Sequence, residues 1–305
     1  MEILIDGNYE GKLIREVLKK ELGFSVNLIK KLKFSPDGIK VNGSWVTVRY
    51  ELRKGDVLFL NVEDKPEEVS PYIIPGDFDV EVIYEDGYVT AVNKPPDMPT
   101  HPSHGHRLDT VANALARRYA DRPYVFRPVN RLDRDTSGCV LTANTKDASY
   151  KMYSAMVSGK IRKTYLAVTD GVPGVSRGEL RSYMRRHEES IIVREECGEN
   201  DEGAKLALTE YEVLSSAGGH ALILLRPLTG RTHQLRVQLA GIGCPIHGDS
   251  LYGKASEYIG RHALHSWKTA FPHPYTGESV ELCAPLPEDM KRIIDLFELD
   301  TETLL

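Results

Sequence analysis

"LALTEYEVLSSAGGHALILLRPLTG", residues 206–230, decides the fold class. Two runs rich in Leu, Ile and Val flank Gly218-Gly219, a pair that reaches the positive-φ corners of a tight hairpin at no steric cost. The stretch therefore predicts two antiparallel strands. The next segment, "RTHQLRVQLAGIG", predicts a helix that starts on the Thr229-Gly230-Arg231 turn. Upstream, "DVEVIYEDGYVTAVNKP" predicts two strands around Asp86-Gly87, "GCVLTANT" a short buried strand and "RKTYLAVTDGV" another strand. "LDTVANALARRYA" and "KDASYKMYSAMVSGK" predict helices. Strands separated by turns alternate with single helices, so an α+β fold is expected: a mixed, largely antiparallel sheet with helices against it.

The first 64 residues predict a separate small unit. "KLIREVLKKELG" places Leu13, Val17, Leu18 and Leu22 at helical spacing, and "SVNLIKKLKF" starts a second helix with Ser25 as its cap. "GIKVNGSWVTVRYELRKGDVLFLNV" then alternates like strands, with turns at Asn42-Gly43 and Lys54-Gly55-Asp56. The polar, proline-containing "EDKPEEVSPYIIPGD" reads as a linker, placed at 65–76, and a second domain follows over 77–305.

Composition narrows the class. With 305 residues, 41% hydrophobic and 27% charged, the chain can bury a sizeable core and is not disordered. It has no run of 18 apolar residues, and "MEILIDGNYEGKLIREVL" lacks the basic start and apolar stretch of a signal peptide, so no membrane partner is expected. Cys139, Cys197, Cys244 and Cys283 are far apart and form no CxxC pair. That argues against a disulfide framework and favours a reducing cytoplasm. The net charge of −5 does not advertise nucleic-acid binding, but its distribution is uneven. Residues 1–65 carry 12 Lys/Arg against 10 Asp/Glu, while the rest carry 27 against 34. Phosphate contacts are local, so clusters matter more than the sum.

"PVNRLDRDTSG", residues 128–138, is the densest polar stretch. Asp133 between Arg131 and Arg134 is, taken alone, an ordinary surface ion-pair run. At the mouth of a strand, beside guanidiniums, the same carboxylate would stay ionised, as a nucleophile or charge stabiliser must. "HPSHGHR", residues 101–107, invites a zinc reading through His101, His104 and His106, but no acid or cysteine set at suitable spacing completes it. The chain has neither a Gly-Lys-Ser/Thr phosphate loop nor a G-x-S-x-G elbow.

The ordered set "VNKPPDMPTHP" (92–102), "NRLDRDTSG" (130–138), "RKTYLAV" (162–168), "GRTHQLRVQLAGIGCPIHGDSLYG" (230–253) and "RHALHSWKTAFPHPYTGE" (261–278) resembles the RluA-type pseudouridine synthases over residues 75–290. These enzymes isomerise uridine in structured RNA. The first unit resembles, more loosely, the alpha-L RNA-binding domain, with "KLIRE" where an arginine-leucine-aspartate is usual.

The resemblance implies Asp133 as the catalytic aspartate, which attacks the anomeric carbon or removes a sugar proton, with no metal and no cofactor required. It implies Tyr165 as the active-site tyrosine stacked on uracil, and Arg231 as the arginine that pairs with Asp133. Arg131 is implied as the side chain that enters the RNA helix after the base has left, because the sugar carbon is out of reach inside a duplex. Leu235, four residues after Arg231, is expected on the same helical face, walling the uracil. The RNA surface is expected to be a local basic strip drawn from Lys30, Lys31, Lys33, Lys160, Arg162, Lys163, Arg185, Arg186 and Arg236. Two departures stand out: Asn130 where the family usually has histidine, and "VQLAG" where a histidine is common near Gln238. Activity is expected to survive the first, since no proton transfer is assigned there.

The expected partner is structured RNA, ribosomal RNA ahead of transfer RNA, with the protein a monomer. The competing readings are a non-catalytic RNA-binding or ribosome-assembly factor and, from "HPSHGHR", a metal-dependent hydrolase.

Overall fold

A computed structural model of the chain describes residues 1–24, 26–62, 64 and 66–301. The cap expected at Ser25 lies outside the described residues. β1 (Glu2–Leu4), β2 (Ile39–Val41), β3 (Ser44–Trp45) and β4 (Val57–Leu60) form a four-stranded antiparallel sheet in the order β1-β4-β2-β3. Against it pack α1 (Ile14–Glu16), which continues as a π-turn over Val17–Glu21, and α2 (Val26–Phe34). Ile14, Leu18, Phe24, Leu32, Leu52, Leu58 and Leu60 fill a core of their own. Asn42 and Gly43, both at positive φ, turn the β2–β3 hairpin as expected. β1 and the π-turn are additions to the sequence reading.

The segment read as a polar, proline-containing linker makes contacts with the larger body. The Asp64 carboxylate takes the Arg127 guanidinium and lies 3.7 Å from Lys146 Nζ, which also reaches Glu68 at 2.6 Å. Further on, Asn113 Nδ2 donates to Ile74 O at 2.7 Å.

The large sheet has ten strands: β5 (Glu81–Glu85), β6 (Val89–Lys94), β7 (Ser137–Ala143), β8 (Arg162–Asp170), β9 (Arg177–Arg186), β10 (Arg194–Cys197), β11 (Lys205–Ala217), β12 (His220–Pro227), β13 (Leu264–Pro272) and β14 (Ser279–Cys283). The order is β10-β9-β11-β12-β8-β13-β7-β6-β5, with β14 on β13. The pairings are antiparallel except a short parallel contact of β13 with β7. Gly218 (φ +57°) and Gly219 (φ +83°) make the β11–β12 turn that the opening stretch predicts. At the parallel contact a Cβ on Gly138 would sit 2.2 Å from Ser266 O, so only glycine lets β7 approach β13 just after the Asp133 loop. α3 (Val111–Arg118), α4 (Lys146–Val157), α5 (Gln234–Gly241) and α6 (Glu288–Leu296) pack on the sheet. β9, β10, β13, β14 and α6 were not read from sequence. No helix among the described residues is long and apolar enough to cross a membrane.

Candidate active site

The loop 130–136, the start of β8 and the segment 227–236 enclose a cavity of about 570 Å³, lined among others by Asp133, Lys163, Tyr165, Arg231, Leu235 and Arg236. Asp133 reaches it from a loop held at both ends. Thr100 Oγ1 accepts from Leu132 N at 3.2 Å. Behind the loop, Lys94 Nζ is buried at the end of β6 and donates to Pro95 O, Met98 O and Arg134 O at 2.7–2.8 Å. Burial pushes the Lys94 ammonium down to about 7. A lysine so placed ties three backbone carbonyls of the loops around Asp133 together.

The carboxylate of Asp133 keeps 29% of its surface exposed, and a guanidinium and an imidazole face it: Arg236 Nη1 at 3.6 Å and His233 Nε2 at 3.8 Å from Oδ2. Arg236 is 9% exposed and forms a two-pronged bond to Asp249, itself fully buried, at 2.6 and 2.7 Å. The guanidinium is thus fixed by one carboxylate and presents its remaining edge to the other. His233 caps α5 in a left-handed conformation (φ +57°), and its Nδ1 lies 2.8 Å from Tyr252 Oη. Burial lowers the His233 pKa, against the pull of Asp133, so the ring is neutral at neutral pH. His262 Nε2 meets Thr136 Oγ1 at 2.7 Å, and burial pushes its pKa down to about 4.

The geometry reassigns one expected pair. Arg231 lines the cavity, but its Nε donates to Leu206 O, 2.9 Å away. The guanidinium that faces Asp133 is Arg236, which sequence reading had placed in the surface strip. Arg231 and Leu235 also share no helical face, because α5 begins at Gln234 and His233 interrupts the helical backbone before it. Gln234 Oε1 accepts from Arg231 N (2.9 Å) and Thr229 Oγ1 (2.8 Å), closing the turn that precedes the helix. Nor do Arg131 and Arg134 grip Asp133. Arg134 pairs with Asp135 and Asp97, and Arg131 stands exposed at the cavity rim.

Tyr165 is buried in the cavity wall and burial raises its pKa, so it is a neutral phenol, with Ser266 beside it acting in the opposite sense. Leu235 is buried and lines the cavity too, and burial lowers the Lys163 pKa. Asn130 is a clip: Nδ2 donates to Cys139 O (3.2 Å) and Oδ1 accepts from Leu141 N (2.8 Å). Lys30, Lys31 and Lys33 are exposed on α2, whose Leu28 and Leu32 are buried, and Lys31 pairs with Glu68. In "HPSHGHR", His106 Nδ1 pairs with Asp109 at 2.5 Å, and the three histidines form no ligand cluster among the described residues.

A ten-stranded mixed sheet with one such carboxylate-floored cavity agrees with what the chain is similar to. Residues 88–241 match the family described as RNA pseudouridylate synthase. The chain belongs to that family. It is 36% identical, over 90% of its length and 95% of the relative's, to a protein of Bacillus subtilis (strain 168) named "Uncharacterized RNA pseudouridine synthase YjbO". It is 33% identical to the "Ribosomal large subunit pseudouridine synthase D" of Vibrio parahaemolyticus, covering 87% of this chain and 84% of that one. The solved structure of "Human RNA Pseudouridylate Synthase Domain Containing 4" shares the fold, with a TM-score of 0.60 at 24% identity, over 72% of this chain and 94% of that one. The enzyme is therefore an isomerase that makes pseudouridine in RNA.

His233, Arg236, Asp249, Lys94 and Tyr252 are the site residues that sequence reading left without this role. Arg236 did carry a signal, being a lone charge amid the apolar residues of "QLRVQLAG". Lys94 carried a weaker one, at the end of an apolar strand. Nothing in the spacing pairs Arg236 with Asp249.

Proposed function

We propose that the enzyme isomerises uridines of large-subunit ribosomal RNA, with Asp133 acting on the sugar of a uridine turned out of the RNA into the cavity. The observation that carries the mechanism is the carboxylate set on the cavity floor between a fixed guanidinium and a neutral imidazole. The bond from uracil N1 to the anomeric carbon breaks, uracil turns and its C5 joins the same carbon; C5 then loses its proton and N1 gains one. Substrate and product are isomers, so no co-reactant is consumed. Asp133 either bonds the anomeric carbon or takes a sugar proton, and in both routes it must be ionised and within reach of the sugar. Arg236, 3.6 Å away, orients it. The Tyr165 ring and Leu235 wall the uracil, and the neutral phenol is placed to exchange a proton late in the reaction. The uridine must leave the stack for any of this, and Arg131, an exposed residue lining the cavity, would enter the gap.

The assignment to ribosomal RNA rests on relatives named for that substrate. The small N-terminal unit, resembling the alpha-L module, would dock the RNA through the exposed face of α2. The test is tritium release from RNA labelled at the uracil carbon that becomes glycosidic. Asp133→Ala is expected to lower release by on the order of 10⁴-fold or more, the scale of loss when a central catalytic group is removed. Mapping the product on ribosomal and transfer RNA names the target. Release undiminished in Asp133→Ala would overturn the mechanism, and product confined to transfer RNA would overturn the substrate.

A further inference from the structure

Asp170 ends β8, His220 opens β12 and His247 lies in the loop after α5. The antiparallel register sets Asp170 opposite His220. Backbone bonds from Asp170 N to Pro245 O (2.9 Å) and from His247 N to Val168 O (2.8 Å) lace the loop to the same strand. One donor atom from each of the three side chains falls within 4.8 Å of the others. His247 Nδ1 is 2.6 Å from Asp170 Oδ1. His220 Nδ1 is 3.2 Å from the same oxygen, buried, and makes no hydrogen bond of acceptable geometry. The second nitrogen of His247 lies 2.7 Å from Ser256 Oγ, which also accepts from Tyr258 N at 3.0 Å. Phe297 covers the pair, stacked on the His220 ring at 3.8 Å and edge-on to His247 at 5.0 Å. Asp170 is five residues from Tyr165 along β8, so the cluster sits about 17 Å from the cavity wall. The pseudouridine reaction uses none of these groups.

We propose that Asp170, His220 and His247 bind one divalent ion of the zinc type. Two imidazole nitrogens and a carboxylate oxygen are the donor set zinc prefers, and three protein ligands leave a fourth position for water. The His247–Ser256 bond is the outer support that turns a ligating imidazole toward its metal and fixes its tautomer. A buried nitrogen without a hydrogen bond, aimed at the shared carboxylate, is what a missing ligand partner leaves behind. The ion clamps the ends of two strands to the loop that carries Asp249, two residues after His247. Asp249 in turn holds Arg236 against Asp133. The site is therefore a positioning device for the catalytic loop.

The full chain, stripped with a chelator and dialysed, is titrated with Zn²⁺ against a chromophoric indicator, and with Co²⁺ by visible absorption. One ion per chain is expected, with the intense bands of a tetrahedral site for cobalt. His220→Ala and Asp170→Asn are expected to weaken Zn²⁺ by about 100-fold or more, and Ser256→Ala by roughly tenfold. The double variant His104→Ala/His106→Ala is expected to bind as the parent does. His220→Gln, at a partly exposed side chain, serves if His220→Ala fails to fold. Three outcomes overturn the proposal: no stoichiometric Zn²⁺ on the parent chain, unchanged affinity in His220→Ala, or loss of the ion with His104 and His106 instead.

Discussion

The exposed face of α2 and the floor of the catalytic cavity both rely on basic side chains, in opposite ways. Lys30 and Lys33 stand in water on long stems, where salt screens them and each contributes little by itself. Arg236 is taken out of water, which is costly, and is held by a fully buried partner, Asp249. The first arrangement suits a diffuse contact with phosphate, since the lysines can adjust to the RNA. The second suits chemistry, since the guanidinium that faces Asp133 cannot move without leaving Asp249 unpaired. The contrast says that removing a charge from the cavity should damage the fold and the reaction together, while removing charges from α2 should alter only binding.

The sharpest way to break this contrast is Arg236→Met. It strands the buried Asp249 carboxylate and is expected to cost about 3–5 kcal/mol in urea unfolding, with turnover lost as well. The double variant Arg236→Met/Asp249→Leu is expected to recover most of that stability and none of the turnover. Arg231→Ala removes a guanidinium bonded only to a backbone carbonyl and is expected to cost less than about tenfold in turnover. Equal losses for Arg231 and Arg236 would erase the distinction drawn between them.

Acid provides the next test. His265 is buried between Ser137 Oγ (2.9 Å) and Ala284 O (3.1 Å), and burial pushes its pKa down to about 4 from an ordinary 6.5. Between those values the unfolded chain binds the proton and the folded one does not, so stability falls as pH falls from 6.5 towards 4. The expected loss is about 3 kcal/mol for this ring, and His265→Gln is expected to flatten the slope. Unfolding free energies that stay level across the window would show that burial does not control this imidazole.

Asn130 sharpens the comparison from within the catalytic loop. Asn130→Ala leaves the buried Leu141 N without its acceptor and is expected to cost about 1–3 kcal/mol, a few degrees in Tm, while turnover of the folded enzyme persists. Loss of turnover at full stability would give Asn130 a chemical role. The smallest effect is expected on α2. Converting Lys30, Lys31 and Lys33 to Glu is expected to reduce the slope of log affinity against log salt by about two, with Lys31 contributing least because Glu68 already holds it. An unchanged slope would remove α2 from the RNA surface.

Much of the fold was legible because local chemistry and the final structure agree. Gly218-Gly219 can hardly do anything but turn, Asn42-Gly43 likewise, and the helical spacings of 111–118 and 146–157 bury the faces they advertise. The missed elements lack such punctuation. β9 reads "RGELRSYMRR", too polar to announce a strand, and is one because β11 supplies its ladder. Of the site, the sequence by itself determined the family: the motifs that contain Asp133, Tyr165 and Arg231 occur in an order that identifies it. Which arginine faces Asp133 was settled only by the tertiary structure. The choice depends on a left-handed His233 that starts α5 late, and on Asp249, thirteen residues beyond Arg236, folding back beneath it. Short-range rules of propensity and period reach three or four residues along the chain. The pairing of buried charges is governed by the cost of desolvation, and that cost exists only once the chain has closed around them.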